Sequence, residues 1–147
     1  MALAFSKVKR KVLNGPEAGQ ERYYAVAKAT GITRLEEMCE LIGARSTGSS
    51  ADVKGVLDSL NWAMALELKA GRVVQLGELG NFRLSISSKG SLTEEEVTSD
   101  RVTGTRILFS PGSVLRYAQS QTVFTPIRVV EKIIYKDQEK ETPEGEI

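Results

Sequence analysis

The sequence predicts an α+β fold, with two helices followed by a group of strands. The clearest observation is an apolar stripe at helical spacing that runs through residues 50–70 and ends at Gly71. A second is the alternation of apolar and polar side chains over residues 81–87, which is typical of a strand with one buried face. A third is the strand-like apolar run of residues 105–110, which follows a polar loop.

Residues 1–32 predict a β-hairpin. Residues 4–13 and 22–29 have strand-like patterns, and the turn-forming residues 14–21 between them predict a connection longer than a two-residue turn. On the first strand, alternate lysines share one face: Lys7, Lys9 and Lys11.

Two helices are expected next. Thr33 is the predicted N-cap of the first, with Glu36 completing a capping box three residues later. The apolar face of this helix comprises Leu35, Met38, Cys39 and Ile42. Ser49 and Asp52 predict a second capping box at the start of the longer helix. The apolar stripe of that helix comprises Val53, Val56, Leu57, Leu60, Met64 and Leu68, and little else in the sequence is available to cover it.

Three strands are predicted after the second helix. Residues 72–76 and 81–87 form the first two, around a turn that contains Gly77 and Gly80, and residues 105–110 form the third. The polar loop before the third strand is expected to hold a helical turn over residues 93–98.

The C-terminal part is expected to contain one short helix and one strand. Ser110 is the predicted cap of the helix, with Pro111 at its first position and an end near Gln119. Residues 121–136 predict the strand, and the acidic residues 137–147 a disordered tail.

Charge is distributed unevenly along the chain. The net charge is +1, which by itself indicates neither a nucleic-acid nor a membrane partner. Residues 1–34, however, hold seven basic and two acidic groups, whereas the last twelve residues hold two basic and five acidic groups. The N-terminal segment is therefore a candidate cationic surface.

Composition argues against an enzyme and against metal or cofactor binding. The chain has no histidine, which excludes Ser-His and Cys-His pairs and histidine metal ligands, and it has no glycine-rich nucleotide fingerprint. The one cysteine, Cys39, cannot form an internal disulfide and suits a reducing compartment. Because no apolar run reaches membrane-span length and the N-terminus lacks a signal-peptide pattern, we expect a cytoplasmic protein.

Three stretches carry a resemblance to a known family. They are "ELKAGRVVQL" at residues 67–76, "LGNFRL" at residues 79–84 and "ILFSPGSVLR" at residues 107–116. In their order and spacing they resemble the HU / integration host factor family of bacterial histone-like proteins, from the end of helix two to the start of the last helix. Residues 33–120 are therefore identified as a divergent HU-like domain, extended by the hairpin and the C-terminal strand.

The resemblance implies an intertwined homodimer, since family members cover each other's helices. It also implies a nucleoid-associated protein that condenses DNA. Such proteins bind double-stranded DNA on a saddle-shaped surface of strands, with little sequence preference. Family members bend DNA with two arms whose tips carry an Arg-Asn-Pro motif. Here the corresponding stretch between Ile86 and Thr105 has no proline and contains Glu94, Glu95 and Glu96, so strong bending is not expected.

The candidate DNA contacts are basic side chains and one helix N-terminus. They are Lys7, Lys9, Arg10, Lys11, Arg83, Lys89, Arg101, Arg106, Gly112, Ser113 and Arg116. Each has an ordinary structural alternative, namely a solvated strand face that discourages edge pairing or a simple helix cap. Tyr23, Tyr24 and Trp62 could stack on bases, but packing in a core or dimer interface is the favoured interpretation.

Two functions from different classes remain open at this stage. One is architectural DNA binding through phosphate contacts, which the clustered basic residues and the resemblance favour. The other is an HU-like dimer repurposed for protein–protein contact, which the near-neutral net charge favours.

Overall fold

The computed structural model describes residues 1–127, which divide between two compact units. One unit comprises Met1–Thr30 together with the stretch that begins at Phe124, and the other comprises Gly31–Val123. Each contains its own three-stranded sheet. Most of the predicted strand over residues 121–136, and all of the tail over residues 137–147, lie outside the described residues.

The first unit is built on a sheet with strand order β2-β1-β6, here called the accessory sheet. Strands β1 (Leu3–Lys11) and β2 (Glu21–Lys28) pair antiparallel from Ala4 to Lys11, so the predicted N-terminal hairpin is present. Strand β6 (Phe124–Pro126) runs parallel to β1 along Leu3–Phe5. The described part of the C-terminal strand therefore pairs with the hairpin.

Helix α1 (Leu35–Arg45) begins one residue later than the capping pattern predicts. Its N-cap is Arg34 rather than Thr33, and the Arg34 N–H donates to Oε2 of Glu37 at 3.1 Å. Glu37, not Glu36, thus satisfies the N-cap amide. An arginine side chain has no acceptor, so the reciprocal half of a capping box is not available to it.

Helix α2 (Ser50–Lys69) begins and ends where the sequence predicts. The Asp52 N–H donates to Oγ of Ser49 at 3.2 Å, and the Ser49 N–H donates to Oδ2 of Asp52 at 2.9 Å. Gly71 follows the helix with φ +80°, a conformation that glycine adopts without the strain a Cβ would cause. Within residues 1–127, no helix combines the length and the apolar character needed to cross a bilayer.

The second unit carries the sheet β3-β4-β5. Strand β4 (Gly80–Ser88) is the central strand and pairs antiparallel with β5 (Val102–Pro111) and with β3 (Val74–Gln75), which is shorter than predicted. A bulge interrupts the β4–β5 ladder between Ser87 and Ser88.

Helix α3 (Ser113–Ser120) starts later than the Ser110-Pro111 pattern predicts. Pro111 is the last residue of β5 and pairs with Gly80, and Gly112 is the N-cap. In the polar loop, an i→i+3 turn closed by the Val97 N–H and the Glu94 carbonyl oxygen lies within the predicted stretch of residues 93–98, and a 3-10 turn follows at Ser99–Arg101.

One chain buries only a small core. In the described part of the second unit, the buried apolar side chains are Cys39 and Leu68, and the ring centroids of Phe82 and Phe109 lie 4.8 Å apart. Many large apolar side chains of the same unit stay exposed, including Trp62 at 71% and Val56 at 68%. This apolar surface is available to a partner.

Candidate nucleic-acid interface

The register of β4 and β5 brings two predicted DNA contacts together. Arg83 pairs with Leu108, and Ser85 pairs with Arg106. Directly paired residues share a sheet face, so Arg83 and Arg106 are diagonal neighbours on one face, within reach of long side chains.

The side chains around these arginines are mostly polar. By alternation and pairing, the polar sheet face consists of Gln75, Asn81, Arg83, Ser85, Ser87, Arg106, Leu108 and Ser110. Among these paired residues the face carries two guanidinium groups and no carboxylate. A surface of this composition can donate hydrogen bonds to phosphate oxygens and attract their negative charge.

The opposite face of the same sheet is apolar. It carries the Phe82–Phe109 ring pair together with Leu84, Ile86 and Ile107. Ile86 and Ile107 are each about two-thirds exposed in the single chain. The two faces thus separate a candidate ligand surface from a candidate packing surface.

The structure also brings Lys89 and Arg101 together. The Lys89 N–H donates to the Arg101 carbonyl oxygen at 3.0 Å, immediately beyond the β-bulge. Lys89 directly follows the last residue of β4, six residues after Arg83, which corresponds to about 20 Å of extended chain. All four predicted basic residues of this region therefore follow one sheet from its middle to its end.

The connection between β4 and β5 forms a short closed loop. Within it, the Val97 N–H donates to the Glu94 carbonyl oxygen and the Thr98 N–H to the Glu96 carbonyl oxygen, each at 3.0 Å. Glu94, Glu95 and Glu96 are exposed, as expected for solvated carboxylates. These carboxylates lie in the segment where the resemblance places a DNA-bending arm. Their negative charge would repel DNA phosphates at that position.

The start of α3 is shaped by two glycines that allow close approach. A Cβ at Gly112 would overlap the Glu78 carbonyl, and a Cβ at Gly80, where φ is +138°, would overlap the Ser110 carbonyl. The Gly112 N–H donates to the Leu79 carbonyl oxygen at 2.9 Å. The Gly112 N–H therefore already has a hydrogen-bond acceptor. The backbone N–H of the exposed Ser113 is the first in α3 that could donate to a phosphate.

Arg116 is held by the backbone in front of α3. Its Nε donates to the Pro111 carbonyl oxygen at 2.9 Å. One edge of the guanidinium is therefore engaged in the β5–α3 connection, and the terminal nitrogens remain as potential phosphate donors.

The basic residues of the accessory sheet divide between its two faces. Lys7, Lys9 and Lys11 share one face of β1. Arg10 lies on the other face, directly opposite Arg22. These residues belong to the first unit and form a candidate surface of their own.

Part of this positive charge is neutralised within the accessory sheet. Lys9 forms an ion pair with Glu21, and Arg22 forms one with Glu17. Exposed ion pairs of this kind contribute little to stability, but they lower the local positive potential that a phosphate meets.

Sequence reasoning missed several members of these surfaces. Gln75 and Asn81 lie opposite each other on the polar sheet face, and Arg22 faces Arg10. The sequence alternation that assigns Arg83 to one strand face also assigns Asn81, two residues earlier, to the same face. Opposite pairs such as Gln75 with Asn81 depend on strand register, which only the fold determines.

Comparison with known proteins places the chain among HU-related proteins. A family model described as an HU domain fused to a winged helix-turn-helix, Ig or glycine-rich motif (HU-HIG) matches residues 1–126. A solved structure from Bacteroides vulgatus ATCC 8482, a "putative bacterial DNA binding protein", matches with a TM-score of 0.57 and 11% sequence identity. The match covers 85% of this chain and 48% of that one, so this chain spans about half the length of that protein. No curated protein sequence matches.

Proposed function

The chain belongs to the HU-HIG family, and on this basis we propose that it binds double-stranded DNA as an HU-like homodimer, through the phosphate backbone and with little sequence preference. The observation that carries the proposal is the polar sheet face, on which Arg83 and Arg106 are neighbours without a carboxylate among the paired residues. The structural similarity to the Bacteroides protein described as a "putative bacterial DNA binding protein" supports it.

Phosphate contact explains this surface better than base reading. Specific base recognition in the major groove requires a protruding helix or ribbon that carries several side chains to base edges. The polar sheet face instead combines two arginines with serine and amide side chains, which contact phosphate oxygens regardless of sequence. Binding free energy then comes largely from the counterions that the DNA releases.

Exposed apolar surface supports the homodimer. Leu41 of α1, Trp62 and Leu66 of α2, and Ile86 and Ile107 of the sheet are each more than half exposed in one chain. A soluble monomer rarely leaves so many large apolar side chains uncovered, and a second copy can cover them by two-fold symmetry. In this proposal, Trp62 packs in the dimer rather than on bases.

We propose that bound DNA stays only slightly bent. Proteins that kink DNA insert an apolar wedge between base steps, and the HU resemblance would place a proline there. The β4–β5 connection from Lys89 to Thr98 contains no proline and holds three consecutive glutamates. The protein thus acts on nucleoid DNA, in the cytoplasm, by coating and condensing it rather than by sharp bending.

Not all predicted contacts have equal weight. Arg83, Arg106, Lys89 and Arg101 form the main surface in this proposal, and Ser113 and Arg116 contribute at the start of α3. The accessory sheet adds a second contact through Lys7 and Lys11, which share one face of β1 and which, within residues 1–127, form no ion pair like that of Lys9 with Glu21. Arg10 lies on the opposite face and would need a separate contact.

Fluorescence anisotropy of a labelled duplex of arbitrary sequence tests the proposal. We expect saturable binding at low salt, and a logarithm of the affinity that falls linearly with the logarithm of the salt concentration. A second duplex of unrelated sequence should bind within a few-fold. An absence of binding at about 50 mM salt would favour the other candidate, an HU-like dimer that uses its exposed apolar surface for a protein partner.

A further inference from the structure

The outer strand of the accessory sheet has an unprotected edge. Among residues 1–127, strand β2 is terminal in the sheet, pairs with β1 without a bulge and contains no proline. Its middle stretch, residues 23–27, carries no charged side chain, and Tyr23 is 70% exposed. Natural edge strands are usually blunted by charge, proline or a bulge, and a long edge without them is a template for strand pairing.

Two hydrogen bonds reveal which groups of β2 point outward. The Val12 N–H donates to the Gln20 carbonyl oxygen, so the ladder directs the even-numbered residues of β2 toward β1. On the other side of β1, the Phe5 carbonyl accepts from the Ile127 N–H, which agrees with this assignment because Phe5 is opposite Ala27. The outward N–H and C=O groups therefore belong to Glu21, Tyr23, Ala25 and Ala27.

We propose that β2 pairs antiparallel with β2 of a second copy of this chain, with the two-fold axis at Tyr24. In this register Tyr23 lies opposite Ala25 of the second copy, and Glu21 lies opposite Ala27. Each outward residue then meets an outward residue, so all of them form ladder hydrogen bonds. Sliding the strands by two residues in either direction leaves one outward residue of each strand without a partner.

The side chains of β2 fit a copy of themselves. The larger outward residues, Glu21 and Tyr23, stand in the first half of the strand, and the alanines stand in the second half. Antiparallel pairing sets large side chains against small ones on that face. On the other face, Tyr24 meets Tyr24 of the second copy at the axis, which is an aromatic cross-strand pair.

This contact goes beyond DNA binding and does not require DNA. The edge belongs to the first unit, whereas the apolar surface assigned above to the HU-like homodimer belongs to the second. A protein that uses both contacts can assemble beyond a dimer, and a chain of linked dimers could bring distant DNA segments together.

Disulfide trapping tests the register. The full chain with Tyr24→Cys is compared with Arg22→Cys, under mild oxidation and without DNA, on non-reducing gels. A non-hydrogen-bonded antiparallel pair places its Cα atoms at a distance that a disulfide can span, so Tyr24→Cys should form covalent dimers at least tenfold faster. The wild-type chain, whose only thiol is the buried Cys39, gives the baseline. Equal rates for the two variants would overturn the proposal.

A proline variant tests the edge itself. The Ala25 N–H points away from β1, so Ala25→Pro removes an outward donor without removing a β1–β2 hydrogen bond. In sedimentation velocity, Ala25→Pro should lose the concentration-dependent increase in mass that wild type shows, whereas Ala25→Ser, which keeps the N–H, should retain it. Identical assembly of Ala25→Pro and wild type would overturn the pairing. Duplex binding by Ala25→Pro, measured in parallel, reports on the DNA surface separately.

Discussion

Arg83 and Arg106 lie diagonally across the β4–β5 ladder, on the sheet face opposite the paired rings of Phe82 and Phe109. The ladder therefore gives the two arginines a fixed spacing, while the apolar pair behind them holds the strands together. In the proposed DNA complex, two guanidinium groups at this spacing would bind backbone phosphates without requiring a particular base sequence.

Removing either arginine should weaken DNA binding by the loss of one phosphate contact. We expect Arg83→Ala and Arg106→Ala each to reduce the salt slope of the logarithm of the affinity by about 0.9, measured by anisotropy across a salt series. Arg72→Ala is the matched control, because Arg72 follows α2 and forms an ion pair with Glu67. A slope that stays unchanged in both sheet variants would place the DNA elsewhere.

The ion pair between Lys9 and Glu21 should restrain DNA binding by the accessory sheet. We expect Glu21→Gln to strengthen duplex binding by a few-fold at low salt, since it releases the Lys9 charge for phosphate. For the same reason Lys9→Ala should cost less affinity than Lys7→Ala. If Glu21→Gln has no effect while Arg83→Ala does, the accessory sheet does not contact DNA.

Gly112 should be the least replaceable glycine of the β5–α3 connection. A Cβ there would overlap the Glu78 carbonyl, so Gly112→Ala should destabilise the fold by about 3 kcal/mol in denaturant unfolding. Gly104→Ala is the control, because its Cβ would meet nothing within 4 Å. That strand substitution should be neutral or stabilising by about 0.5 kcal/mol. Similar losses in both variants would contradict this packing.

The capping box of α2 should make stability depend on pH in the acid range. Hydrogen bonds from the Ser49 side chain, and then from its backbone, hold the pKa of Asp52 below its ordinary value of 3.8. The stabilisation is therefore fully present above the unfolded-state pKa and is lost as the pH falls through the lower folded-state pKa. Unfolding curves of wild type and Asp52→Asn should differ at neutral pH and converge in strong acid. In a Ser49→Ala background, which removes the side-chain hydrogen bond and keeps the backbone one, the effect of Asp52→Asn should depend less on pH.

Local signals in the sequence were sufficient for some elements and not for others. Helix α2 was predicted from Ser49 to Gly71 because a capping box, a stripe and a terminal glycine all act within a few residues of one another. The predicted start of α3 was wrong, because Pro111 pairs with Gly80 in the β4–β5 ladder and Gly80 is distant in sequence. No local pattern at Ser110 could reveal that contact.

The candidate site shows the same division. The sequence pattern and the HU resemblance were sufficient to predict four basic residues on or beside the strands, namely Arg83, Lys89, Arg101 and Arg106. Strand register makes Arg83 and Arg106 neighbours. A tight turn makes the Gly112 N–H donate to the Leu79 carbonyl oxygen. Both depend on distances across the chain that periodicity does not encode.

The parallel pairing of β1 with β6 makes the whole second unit an insertion within the first. During synthesis the β1–β2 hairpin emerges early, but its remaining edge at Leu3–Phe5 has to wait for Phe124–Pro126. Folding of Gly31–Val123 shortens the flexible loop that this pairing must close, and so lowers its entropic cost. We therefore expect the accessory sheet to be completed late in folding, after the inserted unit has folded.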